Sequence, residues 1–169
     1  MKIAPVRTIA AFLRLSQGDR RLVIRCWCLL VSATFGVRLR PLKNLIEAID
    51  ERVARRGQRD GTPEDALRLC AVAARRVWPR PTCLVTALAG YEVLQERGWQ
   101  VALVIGGHSK GADFKAHAWL ECDDVVVLGA PTGAYRPIWR WSAGTVALSQ
   151  PQPTDESWTA RRDLGAMDR

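Results

Sequence analysis

The spacing of apolar positions changes once along this chain, near residue 100. Before it they recur at three and four residues, and after it they alternate. In the first part, Asp19 can cap a helix from Arg20 to about Val37. Pro41 can open a second, in which Leu42, Leu45, Ile46, Ile49 and Val53 recur at helical spacing. Gly57 to Gly61 reads as the loop that follows. Thr62-Pro63-Glu64-Asp65 then places Thr at N-cap, Pro at N1 and an acid at N3, with Leu67, Cys70, Ala71, Ala74 and Val77 along one face. Cys70 on that stripe reads as core. The prolines of Trp78-Pro79-Arg80-Pro81 stop this helix, because each lacks a donor and turns its predecessor away from the α region. From Cys83, the run CLVTALAGYEVLQERG sets Leu84, Ala87, Leu88, Tyr91 and Leu94 on one face and closes on Gly98 at C′.

The second part reads as strands. Val101 to Ile105 predicts one, Gly106 to Lys115 a connecting loop, Ala116 to Cys122 a second strand, Asp123-Asp124 a turn and Val125 to Leu128 a third. The expected class is α+β: N-terminal helices, then a small antiparallel sheet packed on the Cys83 helix. Residues 1–78 form an Arg-rich helical region and 79–141 the core. Residues 142–169, with Pro151 and Pro153, form an irregular tail.

Composition sharpens this outline. The 169 residues are 48% hydrophobic, enough to bury one core. The net charge of +8 is uneven, with 17 Lys/Arg against 7 Asp/Glu in residues 1–80 and 8 against 10 in the rest. A basic half can face nucleic acid, anionic lipid or an acidic polypeptide. With no zinc-finger pattern, RNA-binding signature or long basic tail, a solvated Arg-rich surface is favoured and no nucleic acid is expected. The most apolar segment, Leu22 to Val37, is 16 residues long and carries Arg25, short of the roughly 20 residues a spanning helix needs. It reads as a buried or interfacial helix, with membrane contact the less favoured use. Five cysteines without a C-x-x-C pair argue against a disulfide scaffold or zinc cluster and for a reducing cytoplasm.

The candidate nucleophile is Cys83, in the first turn of a helix after a Pro-rich corner, where free amides and the positive helix end favour a thiolate. His117 opens the strand AHAWLE, so alternation sets His117, Trp119 and Glu121 on one face and Ala118, Leu120 and Cys122 on the other. A cysteine followed by a strand histidine meets the requirement for thiol activation by imidazole. His108, beside Ser109 and Lys110 in a Gly-rich stretch, reads as a solvated loop histidine, and that stretch lacks the ending of a phosphate cradle. Trp139 and Trp141 can line a peptide groove, but packing against the first helices is the favoured use.

The stretches CLVTALA, GWQVALVIGG and FKAHAWLECDDVVV resemble the core of the lasso peptide leader peptidases, which have a transglutaminase-like, papain-like cysteine protease fold. The resemblance covers about residues 80–140. It implies Cys83 and His117 as the catalytic pair and no metal or cofactor. It also implies three partners: a precursor peptide as substrate, a small leader-recognition protein and an ATP-dependent macrolactam synthetase. The family's third member is an Asp near the end of the following strand, but VVVLGA supplies no acid there, and the turn sets Gly129 or Ala130 across from His117. Glu121 shares the face of His117, yet four strand residues separate the two by about 13 Å. Asp113 falls in the expected loop, and Asp123 and Asp124 fall at the hairpin tip. The group orienting His117 therefore stays open among Glu121, a carbonyl, a water or a distant side chain. The expected activity is leader removal by a cysteine endopeptidase. The alternatives are an acyl-transferring enzyme or a leader-binding scaffold without catalysis.

Overall fold

The computed structural model describes residues 12–53, 61–110, 113–133 and 135–143. Among these are helices α1 (Gln17–Leu39), α2 (Leu42–Val53), α3 (Pro63–Ala74) and α4 (Cys83–Glu96). Strands β1 (Ala102–Lys110), β2 (Asp113–Cys122), β3 (Val125–Leu128) and β4 (Arg136–Ser142) follow. The class is α+β, with an antiparallel sheet in the order β3-β2-β1-β4. The expected loop at Gly57 to Gly61 and the expected tail lie largely outside the described residues.

Each helix start has a local cause. Ser16, not Asp19, caps α1: its hydroxyl accepts from the Asp19 amide at 3.0 Å, which places Asp19 inside the first turn, where an acid complements the helix dipole. Thr62 caps α3 in the same way through the Asp65 amide at 3.2 Å. Arg97 is the C-cap of helix α4, and Gly98 follows at φ 73°, the left-handed C′ conformation that glycine adopts without strain. Asp123 and Asp124, at φ 49° and 61°, make the tight turn between β2 and β3.

The described residues of the expected loop over Gly106 to Lys115, 106–110 and 113–115, are strand instead. Strands β1 and β2 stay paired as far as Lys110↔Asp113, which places His108 and Asp113 in the sheet. The glycines serve close approach here. A Cβ on Gly106 would stand 2.5 Å from Trp119 Cη2, and one on Gly107 would stand 2.6 Å from Ile138 Cδ1. Strand β4 also extends the three expected strands to four. Pro137 obscures its signal, and the sheet edge that β4 occupies tolerates a proline.

The two sheet faces have separate roles. Leu103, Ala118, Leu120, Cys122 and Trp141 join the helices in one core that reaches back to Cys26 and Leu30 on α1. Leu30, Leu88, Leu103 and Leu120 are fully buried, each stabilising the fold by about 1.5–3 kcal/mol. Ala102, Val104 and Trp119 form a small cluster on the opposite face, against which Tyr135 packs.

Two acids, Glu92 buried and Asp50 half-buried, tie the helices to this frame. Glu92 on α4 is paired with Arg25 of α1 and Arg52 of α2, at 3.2 and 3.1 Å. Asp50 on α2 accepts from Tyr91 Oη at 2.9 Å, Gln95 Nε2 at 3.0 Å and Trp141 Nε1 at 2.8 Å, joining α2 to α4 and β4. Trp141 thus packs against the helical part, its favoured use on sequence grounds.

Candidate active site

Helix α4 opens with Thr82 as N-cap. Its hydroxyl accepts from the Val85 amide at 3.3 Å and its carbonyl accepts from the Thr86 amide at 3.0 Å. The amides of Cys83 and Leu84 lie ahead of the intrahelical ladder and point out of the helix mouth. Cys83 is exposed there. Its thiol therefore sits beside two amides suited to stabilising negative charge, on the sulfur or on a carbonyl oxygen under attack.

His117 projects from β2 on the face of Trp119 and Tyr135, with ring centroids at 6.3 and 5.4 Å. Its Nε2 lies 2.9 Å from the carbonyl oxygen of Gly129. A carbonyl only accepts, so Nε2 carries the proton and the neutral ring leaves Nδ1 as its basic nitrogen. Gly129 follows β3 at φ 72°, and a Cβ there would stand 3.0 Å from the Ala118 carbonyl. Only glycine places this carbonyl against the histidine without strain.

Glu121 is placed elsewhere. It accepts from Trp119 Nε1 at 2.6 Å and from Arg140, whose other amino group donates to Asp124 at 2.9 Å. Of the orienting groups left open by the sequence, the structure sets a main-chain carbonyl on His117 and engages Glu121 with Trp119 and Arg140. Cys83 and His117 are not joined by a hydrogen bond among the described residues. Ala118 and Leu120, on either side of Trp119, turn toward α4, whereas His117 shares the Trp119 face.

A family model described as transglutaminase-like superfamily matches residues 27–140 of the chain. The chain belongs to the transglutaminase-like superfamily. No curated protein and no solved structure matches it. The superfamily includes cysteine peptidases and acyltransferases. The matched span begins in α1 and ends in β4, so it includes α4 with Cys83 and β2 with His117.

The other cysteines of this transglutaminase-like chain differ in setting. Cys26 and Cys70 are buried and face each other across α1 and α3; their mutual hydrogen bond, together with burial, pushes the Cys26 thiol far above its ordinary value. Burial, with Asp123 and Glu64 nearby, raises Cys122. Cys28 is exposed on α1, away from any helix mouth. A cleft of about 400 Å³ beside the start of α4 is lined by Arg75, Arg80, Pro81 and Thr86, the last one turn beyond Cys83. A second cleft, of about 660 Å³, lies at the other end of the helix around Gln95, Gly98, Glu121 and Arg140. With 14 residues in α4, the two ends stand about 20 Å apart, so the larger cleft does not serve Cys83.

Sequence reasoning did not find Tyr135, whose ring stands between those of His117 and His108, at 5.4 and 5.8 Å. It lies in an irregular segment with no periodic signal. Among the described residues, no group of three or more His, Cys, Asp or Glu side chains is arranged to hold a metal ion.

Proposed function

We propose that this chain is a cysteine endopeptidase that removes the leader from a ribosomally made precursor peptide in lasso peptide biosynthesis. The observation that carries the reading is the exposed Cys83 thiol at the open mouth of α4, in a chain of the transglutaminase-like superfamily. The free Nδ1 of His117, with Nε2 held by the Gly129 carbonyl, supports it.

In this reading, His117 Nδ1 takes the proton of Cys83 as sulfur attacks the scissile carbonyl. The oxyanion settles at the Cys83 and Leu84 amides. The imidazolium then protonates the leaving amine, and water hydrolyses the thioester to a carboxylate and the free thiol. Because His117 lies on the Trp119 face while Ala118 and Leu120 turn toward α4, attack in this reading requires a movement that brings the imidazole to the mouth of α4 when substrate binds. The proposed partners are a small leader-recognition protein and an ATP-dependent macrolactam synthetase, and the proposed setting is the cytoplasm.

The test is incubation of the purified chain and its recognition partner with the cognate precursor, followed by mass spectrometry. Free leader and core with an unmodified new carboxylate are expected, and Cys83→Ala should give neither. Cleavage at the same site by Cys83→Ala would overturn the reading. The superfamily's acyltransferases favour one rival, transfer of the acyl group to an amine, which would appear as an amide adduct in place of the free carboxylate. The absence of a Cys83–His117 hydrogen bond favours the other, a leader-binding scaffold, which would retain precursor without cleaving it.

A further inference from the structure

Helix α1 buries Cys26, Leu29, Leu30 and Ala33 in the core. A soluble surface helix places polar residues opposite such a stripe, but α1 does not. Ile24 is 54% exposed, Trp27 43%, Phe35 58% and Leu39 78%. Spaced at three, eight and four residues, these four fall on one side of the helix, away from its core stripe. Arg21 and Arg38 stand exposed on the same side at the two ends of this apolar run, 17 residues and so about 25 Å apart.

The charge around this face is one-sided. Residues 12–40 carry six arginines (Arg14, Arg20, Arg21, Arg25, Arg38 and Arg40) against one acid, Asp19, a balance of +5 in a chain of net +8. Of these, Arg25 is committed inward to Glu92 and Glu96. We infer that the outer face of α1 docks in the plane of an anionic lipid bilayer, with Trp27 and Phe35 inserted among the acyl chains and Arg21 and Arg38 on lipid phosphates.

Three features select this occupant. A second copy of the chain is disfavoured, because pairing α1 with itself sets arginine against arginine at both ends in either the parallel or the antiparallel arrangement. The face is apolar with only Cys28 and Ser32 exposed beside it, so it has little of the directional hydrogen-bonding pattern of a specific protein interface and suits a fluid anionic surface. Helix α1 is long and apolar enough to cross a membrane, but crossing would strip Cys26, Leu29, Leu30 and Ala33 from the core, whereas lying in the interface keeps them there.

The test is co-sedimentation of the full chain with vesicles of phosphatidylcholine alone or of phosphatidylcholine mixed with phosphatidylglycerol. Binding is expected on the mixed vesicles, reduced by added salt. Arg21→Gln/Arg38→Gln should weaken it roughly thirtyfold, and Trp27→Gln/Phe35→Gln should abolish it. Both double variants change exposed side chains, so an unchanged circular dichroism spectrum shows that loss of binding is not loss of fold. No binding to anionic vesicles would overturn the inference, as would equal binding by the Trp27/Phe35 variant. A salt-resistant dimer in light scattering that this variant dissolves would overturn it in favour of self-association. The outcome is independent of whether Cys83 cleaves anything.

Discussion

The carbonyl oxygen of Gly129 stands 2.9 Å from His117 Nε2, at the place where an orienting acid was expected. A neutral carbonyl fixes the ring and its tautomer as a carboxylate does, but supplies no charge to stabilise an imidazolium. His117 is thus oriented by the fold of the main chain, and substitution can disturb it only through backbone geometry.

Gly129→Ala tests that dependence. The left-handed backbone disfavours any Cβ by about 1–2 kcal/mol, and the Ala118 carbonyl crowds this one. Urea unfolding should show a loss of that size, and turnover of a peptide substrate should fall by more than the small unfolded fraction explains. Full activity in a Gly129→Ala protein of reduced stability would show that the carbonyl does not orient His117.

Thiol labelling separates activation from mere access. Cys83 and Cys28 are both exposed, whereas Cys26, Cys70 and Cys122 are buried. Iodoacetamide in the folded protein should therefore modify Cys83 and Cys28 first. If the helix mouth and His117 activate the thiol, Cys83 should react roughly tenfold faster than Cys28 near neutral pH. Equal rates would favour the scaffold reading.

Trp119 lies across Gly106, so Gly106→Ala should be far more disruptive than a typical surface change. Its methyl group would sit 2.5 Å from Trp119 Cη2 and 2.8 Å from the Arg136 carbonyl. Over-packing of this kind costs about 1–3 kcal/mol. Displacement of the indole should also appear as a changed near-ultraviolet circular dichroism signal, since it breaks both the stacking on His117 and the bond to Glu121.

Stability should fall with alkali. Burial first, and then the charge of Asp50, raise the Tyr91 hydroxyl well above its ordinary pKa near 10. Above that pH the unfolded chain releases the Tyr91 proton and the folded chain retains it. The folded state then binds more protons, so unfolding becomes easier by up to about 1.4 kcal/mol per pH unit. Burial raises Cys122 in the same direction. Denaturant titrations of wild type and Tyr91→Phe between neutral pH and pH above 10 should converge as pH rises, because only the wild type carries the Tyr91 penalty.

Much of this fold follows from local rules. The Thr62 and Thr82 caps, the stop at the prolines, the Gly98 terminus and the Asp123-Asp124 turn each depend on residues within a few positions. The sequence accordingly determined the α+β order, the placement of Cys83 in a helix's first turn and the placement of His117 on the Trp119 face. The contacts that hold the site are decided by residues far apart in the chain. Whether Gly106 and Gly107 make a loop or a strand depends on rings arriving from β2 and β4, and no nearby residue specifies that. The partner of Glu121 is an arginine 19 positions away, and the partner of His117 is a carbonyl whose position is set by the β2–β3 register and the backbone of Gly129. The apolar outer face of α1 became visible only once the core had claimed the opposite side, because burial belongs to the whole fold while hydrophobicity belongs to each residue.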